Sequence, residues 1–107
     1  MRVIARRTLR EFVSSLSGHK DQGAVEAALD AWFDEASKAN WTSSADVKRR
    51  YATASVVTAE RIVFNIKGND YRLVVSVDFR KAIVWIKWIG THGAYDKIDV
   101  REVKHGR

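Results

Sequence analysis

The chain has 107 residues, a length that supports one domain with one core, and it carries no cysteine and a net charge of +6. Disulfides and thiolate metal sites are therefore excluded, and a hydrophobic fraction of 46% excludes a disordered chain. No apolar run approaches the roughly 18 residues of a membrane helix, and arginines interrupt MRVIARRTLREF where a signal peptide needs an unbroken apolar stretch, so a cytoplasmic protein that binds no membrane is expected.

In chain order, Ala5, Thr8, Leu9, Phe12, Val13 and Leu16 keep the i, i+3, i+4 spacing of an amphipathic helix. The tract Ser17–Asp21 interrupts it, with Gly18 as a C-terminal stop and Asp21 as the N-cap of the next helix. That second helix carries the cleanest apolar stripe, Val25, Ala28, Leu29, Trp32, Phe33 and Ala36, and should end by Asn40. Ser43 with Asp46 three residues on resembles a capping box and predicts a short helical turn over Val47–Tyr51.

From residue 60 the pattern turns to strands. Arg61–Ile66 and Tyr71–Val77 flank Lys67-Gly68-Asn69-Asp70, a four-residue hairpin signal. Asp78–Lys81 turns the chain again, and Ala82–Ile89 is apolar on nearly both faces, as an interior strand covered by helices would be. Gly90–Val100 is polar and mixed, and the basic tail Lys104–Arg107 is expected to fray. The expected fold is α+β: two N-terminal helices on one face of an antiparallel sheet of three or more strands. One domain is expected over 1–107, helical in 1–40 and sheet-forming in 60–100.

Charge is unevenly placed. Residues 1–42 hold six basic and six acidic side chains, so the whole excess falls in residues 43–107. Such a bias suits a polyanion partner, although a basic surface kept for solubility has the same composition. His19, His92 and His105 show no HxxxH or HxH pairing and no accompanying carboxylate cluster, which argues against a metal site. Neither a GxSxG elbow nor a phosphate-binding glycine loop occurs, so no cofactor is expected.

Polar groups in or beside the strands remain. On the second predicted strand Tyr71, Leu73, Val75 and Val77 share one face and Arg72, Val74, Ser76 and Asp78 the other. If the odd-numbered face meets the helices, Arg72 projects from the uncovered face, where a guanidinium can grip a phosphate bidentately. A cross-strand ion pair or a solvated arginine fits the same position. His92 follows a strand end, with Tyr95 and Asp96 just beyond; an imidazole serves as acid or base near neutral pH, and a tyrosine stacks on a base or donates to a phosphate. Simple exposure in a turn accounts for them equally. Lys48, Arg49, Arg50, Lys67 and Lys97 are each ordinary surface charges that together could supply a salt-dependent phosphate grip. Trp32, Trp85 and Trp88 are assigned to the core, from the stripe and the apolar strand on which they lie.

These residues carry a pattern. ERIVFNIKGNDYRLVVSV at Glu60–Val77, VWIKWIGTHGAYDKID at Val84–Asp99 and ADVKRRYATA at Ala45–Ala54 resemble the HigB family of toxins from bacterial type II toxin–antitoxin systems, related to RelE-like toxins. The resemblance covers somewhat over half the chain. It implies a RelE-like fold, metal-independent cleavage of messenger RNA, commonly on the translating ribosome, and a HigA-type antitoxin protein as partner. It also implies that Arg72 contacts the scissile phosphate and that His92 and Tyr95 supply acid–base and stacking groups. Lysines that some relatives place on the preceding strand have no clear match; Asn65 and Lys67 are the nearest candidates. Lys48, Arg49, Asn65, Lys67 and Lys97 are the expected RNA-binding set. Two rivals stand beside this reading: a non-catalytic RNA- or ribosome-binding module, and a structural subunit whose charge complements an acidic partner.

Overall fold

A computed structural model describes residues 1–103; the expected fraying of Lys104–Arg107 lies outside the described residues. The elements in order are β1 (Arg2–Ile4), α1 (Arg6–Ser15), α2 (Gln22–Lys38), α3 (Ser44–Arg50), β2 (Ser55–Val56), β3 (Arg61–Ile66), β4 (Tyr71–Asp78), β5 (Ile83–Thr91) and α4 (His92–Tyr95). The strands form one sheet in the order β1-β5-β4-β3-β2. Helices precede most of the strands, and the α+β expectation holds. The sheet is mixed rather than wholly antiparallel, because β1 runs parallel to β5, with Arg2 opposite Ile83 and Ile4 opposite Trp85.

The sequence reasons for these elements are local. On α2, Val25, Leu29, Trp32 and Ala36 recur at helical spacing and are all buried. At α3, Ser43 accepts a hydrogen bond from the Asp46 N–H, as a capping residue should. The reciprocal half of the box is redirected: the Asp46 carboxylate accepts from the Thr42 N–H at 2.8 Å and its hydroxyl at 2.6 Å. Those two bonds hold the Asp46 carboxyl below its usual range.

Alternation on β4 divides the sheet into two faces. Tyr71, Leu73, Val75 and Val77 join Ile62, Phe64 and Ile66 of β3 and Val84 and Ile86 of β5 in the core, against Leu9 of α1 and the α2 stripe. Fully burying one such aliphatic side chain contributes about 1.5–3 kcal/mol, so this layer carries most of the folding energy. Arg72, Ser76 and Asp78 face the other way and are half-buried.

Two further sequence expectations need correction. Asp21 sits at the N-cap position of α2 but has helical backbone angles and makes no side-chain cap. Its carboxylate accepts instead from the Tyr71 hydroxyl at 3.1 Å and pairs with Lys67 at 3.5 Å, clasping the α1–α2 turn to the β3–β4 hairpin. Burial works against this carboxylate, but the Tyr71 hydroxyl and the Lys67 ammonium outweigh it and hold its pKa down. The tryptophans also divide. Trp32 is buried in the core, whereas Trp85 and Trp88 stay outside it and half-buried. A bulge explains them: Val75 pairs with Ile86 and Val74 with Trp88, leaving Lys87 unmatched. The extra residue shifts the alternation, so Trp85, opposite Ser76, and Trp88, opposite Val74, both fall on the face away from the helices.

Candidate functional site

That outer face is partly roofed by the C-terminal segment. Arg61 of β3 donates through Nη1 to the carbonyls of Val100 at 3.1 Å and Val103 at 2.8 Å, tying the segment across the sheet. On the same face Val63 and Val74 are almost completely buried although they lie opposite the helical core.

Arg72 stands beside this roof. It is opposite Gly90 on β5 and Asn65 on β3. Its Nη1 donates to the Asn69 carbonyl at 2.8 Å, so the side chain folds back on its own hairpin. The guanidinium carbon lies 5.9 Å from the centre of the Tyr95 ring, a cation–π approach. A guanidinium has five N–H donors, and these contacts engage Nη1, leaving Nε and Nη2 as the pair that binds an oxyanion side-on.

His92 opens α4. The residue before it, Thr91, caps the helix by accepting from the Ala94 N–H at 3.1 Å, so the expected loop is a single helical turn. The His92 N–H donates to the Asp70 carbonyl at 2.9 Å, which locks α4 to the hairpin turn. Its Nε2 lies 3.6 Å from the Asp96 carboxylate, and the ring is half exposed. A groove of about 320 Å³ at this end of the sheet is lined by His92, His19, Asp21 and Asp70 among others, but by neither Arg72 nor Tyr95. Arg72 and Tyr95 thus meet on the outer face, whereas His92 lines the groove beside the α1–α2 turn. The imidazole–carboxylate pair was marked in the sequence only by its i, i+4 spacing.

The remaining predicted contacts are dispersed. Lys48 donates to the carbonyls of Ala52 and Ala54 and closes the end of α3. Arg49 is paired with Asp46, and Arg50 with Glu35 at 2.9 Å. Lys67 is held by Asp70 at 2.9 Å, the contact that chiefly raises its pKa, and by Asp21. Asn65 donates to the Asn69 side chain at 3.1 Å, beside the carbonyl that holds Arg72. Lys97 is exposed just beyond α4. Lys48, Arg49 and Lys67 therefore have intramolecular partners that any phosphate must compete with. Among the described residues no three histidine or carboxylate side chains are grouped as metal ligands.

A small α+β domain with a strand arginine against a tyrosine of the following segment is the setting in which the match falls: residues 25–98 match the RelE-like toxic component of a toxin–antitoxin system. The chain belongs to the HigB toxin family. No curated protein matches the chain. Membership makes it the toxic half of a two-protein system and implies an antitoxin that restrains it. Among the described residues no helix is long and apolar enough to cross a membrane.

Proposed function

We propose that this toxin is an endoribonuclease that cuts messenger RNA on its outer sheet face without a metal ion, acting on or near the ribosome and restrained by a HigA-type antitoxin. The observation that supports the reading most directly is the Arg72–Tyr95 pair, a guanidinium with free donors held against an aromatic ring on the face the helices leave uncovered.

In this reading the RNA's own 2′-hydroxyl attacks the adjacent phosphorus and the bond to the 5′-oxygen breaks. One proton leaves the 2′-hydroxyl for a base and another is delivered to the departing 5′-oxygen. The products are a 2′,3′-cyclic phosphate and a 5′-hydroxyl. Arg72 stabilises the phosphorane as negative charge accumulates on its equatorial oxygens. His92, with the Asp96 carboxylate 3.6 Å from its Nε2, is the acid–base group, and Tyr95 orients the RNA or donates a proton. Asn65 and Lys97, with Lys48, Arg49 and Lys67 where they release their carboxylate or carbonyl partners, add to the phosphate grip. The whole chain acts as one toxin domain.

The test is expression of the chain with and without its antitoxin, with transcript ends mapped. New 5′-hydroxyl ends and growth arrest are expected for the wild type alone, and both should be lost in Arg72→Ala. Arrest without new ends would support a non-catalytic binder of RNA or ribosomes instead. Full cleavage by Arg72→Ala would remove that residue from the mechanism.

A further inference from the structure

Trp88 has no part in the reading above, yet its surroundings are unusually constrained. Its indole lies directly over Gly90: a β-carbon built on Gly90 would stand 2.5 Å from Cη2 and 2.6 Å from Cζ2 of the ring. Gly90 is the residue opposite Arg72, and it is buried. The same indole has its centroid 6.2 Å from the Tyr95 ring, tilted at 53°. Tyr95 in turn faces the Arg72 guanidinium. Three side chains separated in sequence therefore form a continuous row of contacts, Trp88 to Tyr95 to Arg72, over a position where any side chain would displace the first member.

We propose that Trp88 is a positioning residue, whose indole, seated on Gly90, fixes where the Tyr95 ring stands and so fixes the Arg72 guanidinium. The inference rests on the reading of Arg72 as the phosphate-binding group. Its physical basis is the weakness of the alternatives. Tyr95 ends a four-residue helix, too short to be rigid by its own hydrogen bonds. Arg72 has a long, rotamer-rich side chain held through Nη1 alone, by the Asn69 carbonyl at 2.8 Å and more weakly by the Tyr71 carbonyl at 3.4 Å. A ring fixed beside it supplies the second anchor, and a guanidinium held at two points loses less on gripping a phosphate. The bulge at Lys87 is what permits the arrangement, because without it Trp88 would turn toward the helices.

The experiment uses the full chain and four variants: Trp88→Leu, Trp88→Phe, Gly90→Ala and Tyr95→Leu. The first readout needs no substrate: the Nε–H resonance of Arg72, assigned by its loss in Arg72→Lys, reports the ring current of Tyr95. The second is kcat and KM for cleavage of a single-stranded RNA. Trp88→Leu and Gly90→Ala are expected to move the resonance toward its position in Tyr95→Leu. They should lower kcat on the order of tenfold, with KM within about twofold of wild type. Trp88→Phe should restore both. Gly90→Ala keeps every other side chain, so it decides the matter if Trp88→Leu fails to fold. An unmoved resonance in Gly90→Ala overturns the proposal. So does a raised KM at unchanged kcat, which would make Trp88 a direct contact of the RNA bases. If the wild type cleaves no RNA, the nuclease reading fails, while the resonance still decides the positioning role.

Discussion

The two faces of the sheet are built on opposite economies. Toward α1 and α2 every β4 side chain is apolar and buried, and Tyr71, whose hydroxyl reaches Asp21, is the sole polar tip in that row. Toward the other side one strand presents Arg72, Val74, Ser76 and Asp78, roofed only by the bulged tryptophans and a C-terminal segment tied down by Arg61. The first face is replaceable by any sequence of the right volume and pattern. The second holds charge in fixed positions, which packing alone does not require. Adjacent residues of one strand can thus serve folding on one side and, on the proposed function, chemistry on the other.

The largest expected effects come from breaking that separation at neighbouring positions. Leu73→Ala, on the buried side, should destabilise the fold by about 3 kcal/mol, read as a lower urea midpoint. Arg72→Ala, one residue away, should leave that midpoint nearly unchanged while lowering RNA cleavage by about 10²–10³-fold. Equal losses of stability in the two variants would erase the distinction between the faces. Val74→Ala sharpens it: Val74 lies on the outer face yet is fully buried, and its truncation should cost about 2 kcal/mol if that face has a packed core of its own.

A smaller effect is expected from pH. The Asp21 carboxyl is held below its ordinary value of 3.8, so its contribution to stability is complete above that value. It should be lost as pH falls through the lowered folded-state pKa. Thermal melts of Asp21→Asn and wild type should therefore converge in acid and diverge toward neutrality. The smallest concerns the turn before β5, where Ala82 has φ of 57°, a region in which a β-carbon is disfavoured. Ala82→Gly should stabilise by about 0.5 kcal/mol, the relieved strain exceeding the entropy that glycine adds to the unfolded chain. A lower melting temperature in this variant would contradict that balance.

Where the fold depends on short-range pattern, the sequence was legible. The α2 stripe, the Ser43 cap and the alternation of β4 all follow from residue spacing, and the bounds of α2 and β4 agree closely, whereas α3 begins at Ser44, directly after its cap, rather than at the expected Val47. β1 was not legible, because three residues set no period and their partner lies near the other end of the chain. Trp85 and Trp88 were misassigned to the core because a bulge resets the alternation without leaving a mark such as glycine or proline at Lys87. At the candidate site, the residue types on Arg72, His92 and Tyr95 suggested chemistry, but their arrangement depends on the Arg72–Gly90 register. The clasp of Lys67 by Asp21 joins residues 46 positions apart, which no local spacing encodes.

The parallel pairing of β1 with β5 also sets an order of events. A chain leaves the ribosome amino end first, so Arg2–Ile4 emerges long before the strand it will join. Until then the sheet cannot close on that side, and the last strand to appear completes both its interior and its margin. Trimming those three residues would uncover the backbone of Ile83–Trp85 and lengthen the bare edge of β5, a template on which other strands could add, so loss of the amino end should favour self-association.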